Sequence, residues 1–169
     1  QGQIDKGNLQ SRQKVLVNGA GGGVGTFAIQ IAKQYDVEMT GVDGPSKLDL
    51  MRSLGYVHVI DYTTEDFTRS GKQYDLILDV KTNRPVSHYT RALRRNGMYA
   101  TVGGFIPNLL QTFLLSPWIS LFTGKKVKVV ALKANKDLAY MNNLFVTGKV
   151  KPVIDGPYPM GDVPRMFRV

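Results

Sequence analysis

The 169-residue sequence contains no cysteine, which excludes a disulfide framework, a cysteine nucleophile and a thiolate zinc site. It has only two histidines, His58 and His88, and they fall in a predicted strand and a predicted helix without metal-ligand spacing. We therefore expect no bound metal. No Ser-His-Asp arrangement or pair of carboxylates stands out either, so the sequence indicates no catalytic constellation of its own.

Long apolar runs are also missing. The most apolar segment, 105–122, includes two prolines, Asn108 and Gln111, whereas a bilayer span needs about 20 mostly apolar residues. The first residues are polar and lack a signal-peptide pattern. We expect a cytoplasmic protein without a membrane span, although an organelle stays open if a segment precedes Gln1. Segment 105–122, with Trp118, is interpreted as a helix in the core, at a subunit interface or against another domain. A homodimer is one of the assemblies that this allows.

Negative charge is scarce, since 22 lysines and arginines face 13 aspartates and glutamates for a net charge of +9. Such an excess suits nucleic acid, a membrane surface or a phosphorylated small molecule. The basic residues are scattered, and no RNP-like, helix-turn-helix or zinc-finger pattern accompanies them. We expect most of them on solvated faces and no nucleic-acid partner.

Short strands that are apolar on both faces alternate with amphipathic helices along most of the chain. Strands are predicted at 14–18, 37–42, 57–60, 74–80, 98–102 and 127–132, and helices at 24–35, 46–54, 86–95 and 136–146. This alternation predicts an α/β fold over residues 14–148. The expected architecture is a Rossmann-type, doubly wound parallel sheet of about six strands with helices on both faces.

A glycine-rich turn, GAGGGVG at 19–25, joins the first predicted strand to the first helix. Glycines permit the sharp bend, the close approach of a ligand and tight packing of helix on strand. A helix N-terminus also offers free amides and partial positive charge to a pyrophosphate. No Gly-Lys-Ser/Thr follows, which excludes a P-loop, and a ligand-free turn is the alternative. The predicted dinucleotide-binding residues here are Ala20, Gly22, Gly23, Val24 and Gly25.

Asp43 stands at the end of the second predicted strand, where an acidic residue binds the ribose hydroxyls of NAD. Lys47, four residues later, instead favours the additional phosphate of NADP, and a turn role for Asp43 is the alternative. The loops after the fourth and fifth strands reach the same sheet edge and are candidates for the nicotinamide half. Their candidate residues are Val80, Gly103, Gly104 and Phe105. Asp79 is interpreted equally as a strand-end cap or a ligand residue.

Four blocks in order resemble the medium-chain dehydrogenase/reductases, and within them the zinc-free quinone oxidoreductase (zeta-crystallin-like) group. They are VLVNGAGGGVGTFAIQIAK at 15–33, RSLGYVHVIDY at 52–62, YDLILD at 74–79 and GKVKPVID at 148–155. The resemblance implies a domain that binds NAD(P)H and an enzyme that transfers hydride to quinones or α,β-unsaturated carbonyls.

The resemblance also implies that Lys47 and Tyr62 hold the 2′-phosphate of NADP(H), which makes NADP(H) the favoured cofactor and NAD(H) the alternative. Asp43 departs from the small residue of many such members. A second departure is Lys-Thr-Asn at 81–83, where the family often has Val-Gly-Asn.

The resemblance assigns the two ends of the chain as well. Residues 1–13 resemble a linker from an N-terminal catalytic domain, and residues 149–169 a truncated return segment toward it. Substrate contacts would then lie elsewhere, so catalytic residues stay unassigned and the chain alone is expected to be inactive. The alternative to an enzyme is a non-catalytic dinucleotide-binding module that acts as a redox sensor or a structural unit. A third hypothesis is an S-adenosylmethionine methyltransferase.

Overall fold

The computed structural model describes residues 9–103, 106–130, 137–154, 156 and 158–162. Six strands form one parallel sheet in the order β3-β2-β1-β4-β5-β6, so the predicted fold class is confirmed. The strands are β1 (Lys14–Asn18), β2 (Glu38–Asp43), β3 (His58–Asp61), β4 (Tyr74–Asp79), β5 (Leu93–Thr101) and β6 (Lys126–Val129). The strand order reverses between β1 and β4, and ligands of open α/β sheets bind at the carboxyl edge of such a switch point.

Helices cover both faces of the sheet. They are α1 (Gly23–Ala32), α2 (Leu48–Leu54), α3 (Val86–Arg91), α4 (Ile106–Thr123) and α5 (Leu138–Val146), with short 3₁₀ turns at Pro45–Lys47 and Met160–Asp162. Side chains alternate across a strand, and β1 shows the result: Val15 and Val17 join one apolar cluster while Leu16 joins the other. All three side chains are fully buried, which explains the continuous apolar pattern of this strand.

The helix predicted at 86–95 is too long, because α3 ends at Arg91 and β5 begins at Leu93. Leu93 is fully buried and pairs with Tyr74 of β4, and a register irregularity separates this pair from Leu76 opposite Met98. Asn96 adopts a positive φ of 64°. The Asn-Gly pair at 96–97 therefore lies within an irregular strand and does not close a helix.

Other boundaries shift by one or a few residues. The helix predicted at 46–54 begins as the Pro45–Lys47 turn, α5 begins at Leu138, and β6 ends at Val129 where the prediction ran to residue 132. Residues 131 and 132 lie outside the described part.

The segment predicted as a core or interface helix is α4, and a core role is wrong for most of it. Only Thr112 is buried along its 18 residues. Its apolar side chains are largely exposed, as Phe113 (70%) and Trp118 (62%) illustrate. Over the described ranges no helix is long and apolar enough to cross a bilayer.

Candidate functional site

The glycine turn lies between β1 and α1, and its glycines meet distinct steric requirements. Gly19 has a φ of +90°, which favours glycine. An ideal Cβ on Gly25 would lie 2.2 Å from the carbonyl oxygen of Ala20, so only glycine lets α1 start so close to the turn. By contrast, a Cβ on Gly23 would meet nothing within 4 Å. The first two positions shape the turn, whereas Gly23 borders open space.

The start of α1 provides unpaired backbone donors. The amide of Gly22 donates to the carbonyl of Gly19 (3.3 Å), and the amide of Thr26 donates to that of Gly22 (2.9 Å). Between them, the amides of Gly23 and Val24 make no hydrogen bond to any described residue. Both residues are exposed, and no acidic residue occupies the first turn. This open cradle of amides at a helix N-terminus fits the diphosphate of a dinucleotide.

Tyr56 supports the glycine turn through a hydrogen bond to Gly25. Its hydroxyl donates to the carbonyl of Gly25 at 2.9 Å in a buried environment. Burial, and secondarily the charge of Asp43, raises the pKa of the Tyr56 hydroxyl well above its ordinary value. The hydroxyl therefore stays protonated at physiological pH and remains a donor, which fixes the carbonyl of Gly25 in place.

The end of β2 brings together the residues predicted to hold the adenosine ribose. Asp43 is half-buried, and its two carboxylate oxygens accept hydrogen bonds from the amides of Gly21 (2.8 Å) and Gly44 (2.9 Å). The stem of Lys47 covers Gly21, where an ideal Cβ would lie 2.5 Å from the Lys47 Cβ. Tyr62, 53% exposed, lies beside Gly44. Asp43 and Lys47 thus border the glycine turn at Gly21, and Tyr62 lies next to them beside Gly44. Asp43 also braces the turn through its hydrogen bond from the Gly21 amide.

A cavity of about 180 Å³ opens at this edge. It lies at the ends of β1, β2 and β3 and against the loop after β4. Its lining residues are Asn18, Gly19, Val42, Asp43, Tyr62, Phe67, Lys81, Asn83 and Arg84. Polar and apolar walls of this kind suit a nucleoside, because the base needs an apolar contact and the sugar needs hydrogen-bonding groups.

The loop after β4 is anchored by Asp79, which is fully buried. One carboxylate oxygen accepts from the Asn18 side chain (2.8 Å) and from the amides of Lys81 (3.1 Å) and Thr82 (3.0 Å). The other accepts from the Tyr99 hydroxyl at 2.7 Å. These four donors satisfy the buried carboxylate and favour the cap interpretation of Asp79.

Val80 and Gly103 lie in two loops that Thr82 joins. Val80 is half-buried, donates its amide to the carbonyl of Asn18 (3.0 Å) and packs against Gly19. The hydroxyl of Thr82 contacts that of Thr101 and donates to the carbonyl of Gly103. The two predicted loops therefore meet at the carboxyl edge. The predictions for residues 104 and 105 lie outside the described part.

The sequence analysis gave no site role to four residues that line the cavity: Asn18, Val42, Phe67 and Arg84. Asn18 directly precedes the first glycine, a position that could have drawn attention to it. Lys81 was noted only as a departure in a loop expected to face the nicotinamide, yet it lines the cavity with Asp43 and Tyr62. Phe67 carried no signal because its position depends on tertiary packing.

No cluster of three potential metal ligands (His, Asp or Glu) occurs among the residues that the structure describes.

A family model described as zinc-binding dehydrogenase matches residues 54–169. The chain is 31% identical over 153 residues to the chloroplast envelope quinone oxidoreductase homolog of Arabidopsis thaliana, covering 88% of this chain and 46% of that protein. It is also 31% identical over 176 residues to the mitochondrial NAD(P)H oxidoreductase RTN4IP1 of Homo sapiens, covering 92% and 44%. The chain thus spans about half the length of these curated relatives.

Solved structures agree. An alcohol dehydrogenase superfamily protein from Novosphingobium aromaticivorans matches with a TM-score of 0.70 and 30% identity, covering 92% of this chain and 50% of that one. The quinone oxidoreductase from Coxiella burnetii matches with a TM-score of 0.74, covering 97% and 50%, and at 18% identity this likeness shows the fold alone. The resemblance to quinone oxidoreductases of the medium-chain dehydrogenase/reductases is confirmed, and the chain belongs to the zinc-binding dehydrogenase family.

Proposed function

We propose that this chain is the nucleotide-binding half of an NAD(P)H-dependent oxidoreductase that reduces quinones or α,β-unsaturated carbonyls. The observation that carries the proposal is the open amide cradle of Gly23 and Val24 at the switch point of the sheet. Two relatives, a quinone oxidoreductase homolog and an NAD(P)H oxidoreductase by name, support the reaction class.

The residues of the glycine turn would hold the diphosphate, and those at the ends of β2 and β3 the adenosine ribose. Val80 and Gly103, which lie in the two loops that Thr82 joins, would border the nicotinamide ring. A bound nicotinamide cofactor supplies the hydride, and the protein contributes orientation and electrostatics. No zinc is proposed. The proposed contacts are Ala20, Gly22, Gly23, Val24, Gly25, Asp43, Lys47, Tyr62, Val80 and Gly103, together with Gly104 and Phe105.

NADP(H) is the proposed cofactor. Lys47 packs over Gly21, close to where Asp43 and Tyr62 meet, so a cation is available for a 2′-phosphate. Asp43 accepts hydrogen bonds from two backbone amides, so its carboxylate has a structural role in the turn that does not depend on NAD. A titration of the intact protein with NADPH and NADH tests the choice, and tenfold tighter NADH binding would reverse it.

Turnover is tested on the intact protein by following NADPH oxidation with a quinone and with an enone as acceptors. Oxidation that depends on either acceptor supports the proposed reaction. Binding of NADPH without oxidation by any acceptor would instead favour the non-catalytic dinucleotide-binding module. If the protein bound S-adenosylmethionine but neither NADPH nor NADH, both the oxidoreductase and the non-catalytic dinucleotide-binding module would be contradicted.

For the two ends, we propose that residues 1–13 lead from a catalytic domain and that residues 149–169 return toward it. The half-length match to the curated relatives supports this division. Removal of everything that precedes Lys14 in the intact protein should leave dinucleotide binding in place and abolish turnover.

A homodimer formed through α4 and the edge strand β6 is part of the proposal. The apolar face of α4 is exposed, and with β6 it lines a groove of about 720 Å³. Substitution of Trp118 by Asp should convert a dimer into a monomer in sedimentation analysis, and an unchanged mass would contradict this assembly. For the compartment we propose the cytoplasm or an organelle, since relatives are named chloroplastic and mitochondrial.

A further inference from the structure

Lys81, in the loop after β4, is a lysine to which neither the fold nor the proposed contacts give a role. Its stem runs along Gly19: an ideal Cβ on that glycine would lie 3.4 Å from the Lys81 Cγ and 3.6 Å from its Cε. The side chain is exposed, and no carboxylate of the described residues forms an ion pair with its ammonium. Lys81 therefore presents an uncompensated positive charge at the first glycine of the turn.

The other cation that lines the cavity is already engaged. Arg84 forms an ion pair with Asp66 at 2.6 Å, and its guanidinium lies 5.8 Å from the centre of the Phe67 ring. Its guanidinium is therefore already paired within the protein, on a carboxylate that Arg69 also approaches at 3.8 Å. Lys81 is thus the cation of the cavity wall whose charge is available to an anionic ligand.

Asp43 contributes a negative charge to the same cavity. A phosphate monoester carries about 1.5 to 2 negative charges at neutral pH. A 2′-phosphate placed near Asp43 would be repelled unless cations compensate, whereas the neutral 2′-hydroxyl of NAD(H) needs no such compensation. Lys47 supplies one cation beside Gly21, and Lys81 supplies a second beside Gly19.

We propose that Lys81 is a specificity-determining residue that pairs with the 2′-phosphate of NADP(H) and offsets the charge of Asp43. This inference rests on the proposed function, because it presumes a dinucleotide on the glycine turn. It assigns the loop at 81–83 to adenosine recognition, although the sequence pattern alone suggested a place near the nicotinamide.

The experiment compares dissociation constants for NADPH and NADH in the intact protein and its Lys81→Gln and Lys81→Arg variants. The control is Lys72→Gln, since Lys72 is exposed and lies just before β4, at the opposite edge of the sheet. It removes the same charge from the protein without touching the cavity. Melting temperatures of all variants verify that they fold, and Lys81→Arg retains the charge should the glutamine variant fail to fold.

We expect Lys81→Gln to weaken NADPH binding about tenfold and NADH binding less than about twofold. Lys81→Arg and Lys72→Gln should retain the wild-type ratio of the two constants. An equal loss for both dinucleotides would place Lys81 on the shared diphosphate and overturn the proposal, as would an unchanged ratio. If the wild-type protein binds neither dinucleotide, the proposed function itself fails, a result distinct from an unchanged ratio in a protein that binds both.

Discussion

Replacing Gly25 by alanine tests whether the close approach of α1 to the turn requires a glycine. The added Cβ would lie 2.2 Å from the carbonyl oxygen and 2.4 Å from the Cα of Ala20. Ordinary contacts begin at 3.4 Å, so the helix and the turn would have to separate by about 1.2 Å. Both neighbouring atoms belong to the backbone, and no side-chain rotation can relieve the overlap.

The magnitude follows from two opposing terms. Alanine is favoured over glycine inside a helix by about 0.8–1.0 kcal/mol. Overpacking costs about 1–3 kcal/mol, and a rigid backbone neighbour places this case at or above the upper end. The net loss is about 2 kcal/mol or more. For a protein of this size, that corresponds to a melting temperature lower by roughly 4–8 °C.

Thermal unfolding followed by circular dichroism measures this loss, and Gly23→Ala is the matched control. Its Cβ would meet nothing within 4 Å, so its melting temperature should stay within about 2 °C of the wild type. If Gly25→Ala were as stable as Gly23→Ala, the steric account of the turn would be refuted.

Two further predictions concern supporting contacts. Tyr56→Phe removes the buried hydrogen bond to the carbonyl of Gly25 and should lower the free energy of unfolding by about 1–2 kcal/mol in urea titrations; an unchanged midpoint would show that the contact is dispensable. Partial burial raises the pKa of Asp66, but hydrogen bonds from Arg84 and Thr68 outweigh it and lower that pKa to about 2. Because the folded pKa is depressed, Asp66 stabilises the fold above its unfolded pKa of about 3.9 and loses this contribution as pH falls toward 2. The melting-temperature difference between wild type and Asp66→Asn should therefore shrink as pH falls below about 4, and a constant difference would contradict this.

The sheet could be predicted because its strands are buried on both faces. Val15, Leu16 and Val17 are apolar without alternation, and that local pattern is typical of a parallel sheet. The start of β5 could not be predicted in the same way. The amide of Tyr74 donates to the carbonyl of Ala92 at 2.8 Å, and only this long-range pairing reveals that the chain becomes a strand at Leu93.

In the candidate site, too, some residues could be predicted from local sequence and others depend on long-range contacts. The glycine turn and Asp43 follow from the order strand, turn, helix, strand, which fixes where strand ends meet. The side of the turn on which Lys81 lies depends on how the two ends of the loop after β4 are held. Asp79 accepts hydrogen bonds from Asn18 and Tyr99, and the Thr82 hydroxyl contacts Thr101 and Gly103. Hydrogen bonds between residues distant in sequence set that conformation, so no local pattern announces it.

The central claim is that the free amides at the start of α1 bind a diphosphate, and a charged substitution tests it most directly. Gly23→Asp places a carboxylate at the helix N-terminus, where negative charge stabilises the helix, and it fills the space that an anion would occupy. Gly23→Asn is the neutral control of the same size. In fluorescence titrations with NADPH, we predict that Gly23→Asp binds about 100-fold more weakly than Gly23→Asn while melting no lower. Equal NADPH affinities in the two variants would contradict the account.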